Sequence, residues 1–426
     1  MFYAGNEGDV WNFYNNSGFL TETLAKELSA KVVFGEHRYY GTSMPFGDAE
    51  VAYSDNEHRR FLSIEQVMWD YVNLLDYIKD ENDMQDRAVI AFGGSYGGML
   101  AAWMRMKYPQ HIQGAIASSA PILWFEGATD PSAFTEIASN AMKKMGGQTC
   151  YDSIQRGFFD LTNVKYDSAK YGDVNTIFNI CSNSTLTKSS DIDALIGLVS
   201  DSLGTMAMVN YPYATSFINP LPAWPIAEAC YAAGNYTAPV PPIEDPLTDP
   251  SIFNFTHINQ LSLAAKVFYD FPGTQECLDL GQNQAGGLDD NGWDVQSCSE
   301  FPMPMGDDPS VSCFTWDNWD KKAFTERCNS TYGQMPKFDW ALDFFGGRNP
   351  SKDFAHVTNL VFANGDLDPW SAGGVTKNIT QDTIALFIKD SAHHLDLRLP
   401  NAQDGMGPGS VTEARLVEAM YVKKWV

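Results

Sequence analysis

The hexapeptide Gly93-Gly94-Ser95-Tyr96-Gly97-Gly98 constrains this chain more than any other stretch. A short apolar run, Arg87 to Phe92, leads into it. A helix-period stretch from about Gly97 to Tyr108 leads out and stops before Pro109. A strand and a helix this close must be joined by a sharp turn, and glycine is needed where the backbone crowds around the serine. Such a turn lifts the serine hydroxyl above the sheet edge, and the N–H of Tyr96 at the helix start can serve the same space. The rival reading is a glycine-rich turn with an incidental serine. The strand before it and the helix after it favour a nucleophile.

The surrounding pattern fits an α/β architecture. Lys31 to Gly35 reads as a buried strand entered from a helix over Thr21 to Leu28, and Ile64 to Lys79 has a helical period. Ile112 to Ala117 is a further strand, so residues 1–121 form the first part of a parallel sheet with its helices. From 122 to 356 the rhythm gives way to helical segments and proline-rich turns (Pro220 to Pro225, Pro239 to Pro246). It returns over 357–426 with strands at Asn359 to Ala363 and Thr383 to Lys389 and a helix from about Val411 to Lys424. The expected fold is an α/β hydrolase carrying a long, mostly helical insertion that caps the carboxyl edge of the sheet. Met1 to Ala4 reads as the end of a strand rather than a signal peptide, so upstream strands and a targeting segment are expected to precede it.

A serine on such a turn needs a histidine and an acid, which in this fold follow in the order acid, then histidine, each after a later strand. Asn364-Gly365-Asp366-Leu367-Asp368-Pro369-Trp370 and Ser391-Ala392-His393-His394 meet that demand. Pattern alone leaves Asp366 competing with Asp368, and His394 with His393. His37, His58, His111 and His257 precede the acid and read as surface or supporting groups. The second oxyanion donor is expected from Gly5-Asn6-Glu7-Gly8, with Gly5 and Asn6 as candidates, although a plain β-turn fits that spacing equally. Glu36 to Ser43 follows the next strand and reads as a solvated turn or as a brace for the site loops.

Composition narrows the setting. A formal charge of −25 argues against nucleic acid, which needs clustered cations, and suits an acidic compartment. No apolar run approaches the roughly 18 residues of a membrane-spanning helix. All 7 cysteines fall between Cys150 and Cys328, without the paired spacing of a zinc site. With the N-x-S/T sequons at Asn15, Asn183, Asn235, Asn254, Asn329 and Asn378, they favour the secretory pathway.

Longer motifs carry a resemblance. G-N-E-G-D (5–9), E-H-R-Y-Y-G-x-S-x-P-F-G (36–47), G-G-S-Y-G-G-M-L (93–100), N-Y-P-Y (210–213), P-L-P-A-W-P (220–225), N-G-x-L-D-P-W (364–370) and A-H-H-L-D-L-R (392–398) occur in order. Together they resemble the serine peptidase family of lysosomal Pro-X carboxypeptidase and dipeptidyl peptidase II. The resemblance implies Ser95, Asp368 and His393 as a triad, cleavage after proline, no metal or cofactor, and a lysosomal or secreted location. It places Met99, Met303 and Trp370 along an apolar slot for the proline ring, against the plainer reading of core residues. It also implies disulfides Cys150–Cys230, Cys181–Cys277 and Cys298–Cys328, with Cys313 left over. Arg398 is a candidate for tuning the pKa of His393, or a surface arginine in an ordinary salt bridge.

The motifs do not decide between release of one residue from a C-terminus and of an X-Pro dipeptide from an N-terminus, although P-A-W-P (222–225) leans towards the carboxypeptidase, with the dipeptidyl peptidase as the alternative. Carboxylates that could hold a free amine, such as Asp279 and Asp289, are plentiful in the insertion and do not discriminate. A lipase or esterase on the same fold, and an inactive binding protein, are the other readings. Peptides with proline near a terminus are the expected partners, and homodimerisation is left open.

Overall fold

The computed structural model describes residues 1–234, 253–281, 288, 290–314 and 318–426. Asn235, Asp289 and the proline-rich turn at 239–246 lie outside the described residues. By its packing the chain divides into two compact units. One comprises Met1–Asp130, Gly287–Pro304 and Asp320–Val426; the other comprises Pro131–Gly286 and Met305–Trp319.

The first unit is built on a six-stranded sheet: β1 (Phe2–Ala4), β2 (Val33–Gly35), β3 (Ile90–Gly94), β4 (Gly114–Ser118), β5 (Leu360–Gly365) and β6 (Thr383–Ile388). Its order is β2-β1-β3-β4-β5-β6, and every pairing is parallel. Strands β3, β4 and β5 are buried along their whole length, as expected of central strands covered on both faces. That is why Ile90-Ala91-Phe92 and Leu360-Val361-Phe362-Ala363 are unbroken apolar runs. The strand order is that of an α/β hydrolase. It reverses between β1 and β3, and such a reversal opens a crevice at the carboxyl ends of the two strands.

Helices α1 (Ile64–Glu81), α2 (Tyr96–Lys107), α3 (Asp290–Ser297) and α4 (Val411–Trp425) accompany the sheet. In α1 the buried residues Ile64, Val67, Met68, Tyr71, Val72 and Leu75 recur at helical spacing. The segment holding α3 returns to this unit because of Phe301. Its ring lies 5.1 Å from Tyr96, 5.5 Å from Phe125 and 5.2 Å from Trp293, edge-on in each case. Residues 290–304 and 320–356, which the sequence rhythm groups with the insertion, belong instead to the compact unit that holds the sheet.

The second unit is helical. Ala133–Val164 packs against Ser189–Met208, Pro225–Ala232 and Phe255–Tyr269, with a non-helical break at Gly147. Disulfides Cys150–Cys230 and Cys181–Cys277 staple it, and Cys298–Cys328 lies in the first unit. These are the pairs expected above, and Cys313 is a buried free thiol. No helix among the described residues is long and apolar enough to cross a membrane.

Candidate active site

The sequence folds into a strained turn at Ser95. Its backbone adopts φ 58° and ψ −130°, while Gly94 closes β3 and Tyr96 opens α2. The glycines are required by close approach. A Cβ on Gly93 would lie 2.0 Å from the carbonyl oxygen of Gly97, and one on Gly97 would lie 2.5 Å from that of Ala4. The serine amide donates to Ser118 O at 3.0 Å, which ties the turn to β4. From Ile90 to Met104 Ser95 alone keeps partial exposure, so the hydroxyl is the reachable group of an otherwise buried stretch.

The acid and histidine loops are tied to each other across the ends of β5 and β6. Asp366 N donates to Ile388 O at 2.9 Å and Leu367 N donates to Ser391 O at 3.0 Å. A side chain on Gly365 would strike that same Ser391 carbonyl. This seating puts Nδ1 of His393 3.0 and 2.9 Å from the two carboxylate oxygens of Asp368. Asp368 is fully buried, and its Oδ1 also accepts the Trp370 amide at 3.0 Å. Asp366 instead approaches the Ser391 amide at 3.4 Å. His394 lies beside His393, ring centroids 4.7 Å apart, in a left-handed backbone conformation and with its amide on Ser119 Oγ at 2.7 Å. Its ring covers Gly94, where a Cβ would lie 2.8 Å away, so the histidine loop rests on the serine turn.

Of the oxyanion candidates, the Tyr96 amide, the first N–H of α2, has no acceptor among the described residues. The expectation for Gly5 is corrected. Its amide donates to Gly35 O at 3.0 Å, because the β1–β2 ladder runs one residue past the strand end. The amide of Asn6 has no acceptor among the described residues and remains the candidate on this loop. Tyr71 fixes the loop by donating its hydroxyl to Gly5 O at 2.7 Å.

Met99 is buried one turn along α2, its amide on Ser95 O at 3.0 Å. Trp370 is partly exposed, and its ring meets Trp124 edge-on at 5.1 Å. Trp124 Nε1 donates to Pro304 O at 2.8 Å, next in the chain to buried Met303. Arg398 is buried rather than at the surface, and it donates to Asn16 Oδ1 at 2.8 Å. Its charge acts on His394, whose pKa lies well below the ordinary value. Burial is the main cause, followed by the charges of His393 and Arg398.

Supporting groups that the sequence left undefined complete the site. His37 is fully buried and its pKa is lowered to about 4, chiefly by burial. Nδ1 of His37 is 2.6 Å from Arg38 O, which can only accept, so Nδ1 carries the proton. Nε2 then accepts from the Tyr96 hydroxyl at 3.0 Å, and that hydroxyl accepts from Gln296 Nε2 at 3.0 Å. Glu36 takes the Val10 amide at 3.2 Å and Ser43 Oγ at 2.7 Å, so the Glu36 to Ser43 turn is a brace. The E-H-R-Y-Y motif was the available signal for His37; Gln296 had none.

With this geometry in place, comparison places the chain among known proteins. The family described as Peptidase_S28, serine carboxypeptidase S28, matches residues 1–414. Lysosomal Pro-X carboxypeptidase of Mus musculus is 39% identical over 427 residues, covering 100% of this chain and 81% of that protein. The Homo sapiens protein of the same name is 39% identical, covering 100% and 80%. Prolyl carboxy peptidase like protein 5 of Caenorhabditis elegans is 34% identical over 440 residues, covering 100% and 82%. Among solved structures, an epoxide hydrolase from Vigna radiata covers 100% of this chain and 89% of that one at 12% identity and a TM-score of 0.33. The fold rests on the strand order, not on that likeness.

Proposed function

The chain belongs to the serine carboxypeptidase S28 family, and we propose that it is a carboxypeptidase that removes the C-terminal residue following a proline, in an acidic compartment. The carrying observation is the Asp368–His393 pair in a chain 39% identical to Pro-X carboxypeptidases. Ser95 Oγ attacks the proline carbonyl carbon and its proton passes to Nε2 of His393. Asp368 holds Nδ1–H and balances the imidazolium. The amides of Tyr96 and Asn6 receive the oxyanion. Collapse breaks the C–N bond, His393 hands its proton to the leaving amine, and water then releases the acyl group by the same steps.

A neutral His394 suits this cycle. A second cation 4.7 Å from His393 would oppose the imidazolium, and burial with the Arg398 charge keeps His394 uncharged. Met99, Met303 and Trp370 are the proposed walls of the proline slot, offering contact area without an unmet polar group. The sequons at Asn15, Asn183, Asn254, Asn329 and Asn378 are all exposed, in keeping with a secreted or lysosomal glycoprotein. Peptides with a penultimate proline are the proposed substrates, and a homodimer is the assembly to test by light scattering.

The test pairs an N-blocked Pro-X peptide with a C-blocked X-Pro reporter, alongside fluorophosphonate labelling. Release of X from the first, lost in Ser95→Ala, is the expected result. Hydrolysis of only the second would turn the assignment to a dipeptidyl peptidase. Labelling without hydrolysis of either, but with turnover of simple acyl esters, would indicate an esterase.

A further inference from the structure

The loop that carries His393 is held from outside the sheet by one side chain of α4. Arg415 is buried, and it donates from Nε to the carbonyl of Asp396 at 2.7 Å and from Nη2 to that of Leu395 at 2.8 Å. Its Nη1 donates to Asp404, whose Oδ2 also accepts the Asn401 amide at 2.8 Å. The ring of buried Phe19 lies 5.9 Å from the guanidinium carbon, so these bonds form where little water competes for them.

Where those donors go is informative. The buried carboxyls of Asp396 and Glu418 lie close enough for the Arg415 charge to act on them, yet neither receives a hydrogen bond from it. Charge balance alone would be served by carboxylate oxygens. Arg415 instead directs two of its three nitrogens to successive backbone carbonyls, those of the second and third residues after His393. A planar fork suits two fixed acceptors side by side, and an ammonium on a flexible stem does not.

The same loop is tied to the end of β4. Ser118 Oγ donates to Asp396 Oδ1 at 2.6 Å, and Ser119 Oγ takes the His394 amide at 2.7 Å. The Ser118 carbonyl also accepts the Ser95 amide at 3.0 Å. Ser118 therefore bonds the serine turn through its backbone and the histidine loop through its hydroxyl, and Arg415 closes the arrangement from α4. Misplacing a reacting group by about 1 Å can cost about a hundredfold in rate. We infer that Arg415 is a positioning residue: by holding the carbonyls of Leu395 and Asp396 it keeps the histidine loop on Ser118 and Ser119 and fixes the register of His393 against Ser95. This rests on the triad proposed above, whichever end of the peptide is cut.

The experiment measures kcat and KM on an N-blocked Pro-X peptide, and the rate of fluorophosphonate labelling of Ser95, in wild type, Arg415→Ala, Arg415→Lys and Ser118→Ala. Each is assayed below its own melting transition, read by circular dichroism. Arg415→Ala should lose about a hundredfold in kcat and in labelling rate, with KM within about threefold of wild type. Arg415→Lys keeps a charge for Asp404 but not the fork, and should lose about tenfold in kcat. Ser118→Ala removes the tie on the β4 side and should lose about tenfold in the same parameter. Should Arg415→Ala fail to fold, the other two variants carry the test. Wild-type kcat in folded Arg415→Lys and Ser118→Ala, or losses confined to melting temperature or to KM, would overturn the inference. The labelling rate reads the register of Ser95 and His393 without reference to the peptide, so it serves equally if wild type releases X-Pro instead. Wild type that takes no label would overturn the triad reading itself.

Discussion

Asp368 meets Nδ1 of His393 with both carboxylate oxygens, at 3.0 and 2.9 Å, where neither side chain is more than 2% exposed. A carboxylate only accepts, so Nδ1 carries the proton and Nε2 is left as the base. Asp368→Asn would present a donor to Nδ1 and favour the wrong tautomer. The expected loss is about 10⁴-fold in kcat with KM little changed. Active-site titration alongside steady-state kinetics checks it, and a loss confined to KM would contradict the assignment.

Tyr96 separates backbone from side-chain roles. Its hydroxyl bridges His37 and Gln296, while its amide is the proposed oxyanion donor. Tyr96→Phe leaves two buried polar partners unmet and should lower stability by about 1–3 kcal/mol, with kcat/KM reduced less than tenfold at temperatures where the variant is folded. Denaturant melts read with kinetics distinguish this from a direct role. A loss beyond a hundredfold at unchanged stability would show that the hydroxyl itself takes part in catalysis.

The buried carboxyl pair Asp396 and Glu418 should contribute stability that is lost as the pH rises from acid to neutral. Burial raises Asp396 above its ordinary 3.8 and Glu418 well above its ordinary 4.5, and Arg415 opposes both shifts. The folded chain therefore holds protons that the unfolded chain releases. That contribution is complete below the unfolded values and fades as the pH climbs through the folded ones. Asp307, raised to about 6 chiefly by burial, has the same sign. His37 and His394, whose pKa values are lowered by burial, act with the opposite sign over the same range, so the pair is read from the difference between wild type and Glu418→Gln: melting temperature in the variant should fall less, or rise more, between pH 4.5 and 7.5 than in wild type. An identical slope in the variant would count against the buried pair.

Cys313 should be inert in the native protein. It is fully buried beside Ser139 and Met142, and burial pushes its thiol up to about 12. The reactive thiolate is then scarce as well as inaccessible. With 7 cysteines and three disulfides, a thiol reagent should count none in the native state and one after denaturation without reductant. A native count of one would disprove the burial.

Much of the site was legible because its signals are local. Gly93 to Gly98 carries its own turn constraint, and chain order ranks the acid before the histidine. Choosing between Asp366 and Asp368 was beyond pattern, since both follow the same strand. The choice came from bonds between the loops after β5 and β6, from Asp366 N to Ile388 O and Leu367 N to Ser391 O. Gly5 failed as a donor for a similar reason, since its amide was taken by Gly35 O across the sheet.

The chain by itself determined the parallel sheet, the serine turn and the helical character of the insertion, because apolar period and glycine crowding act between near neighbours. Tertiary structure alone decided which oxygen faces which nitrogen. Phe301 packs its ring against Tyr96 at the head of α2, and Glu7 follows β1, the strand that pairs with β3. Those outcomes depend on burial and on partners tens to hundreds of positions away. A linear pattern does not encode them.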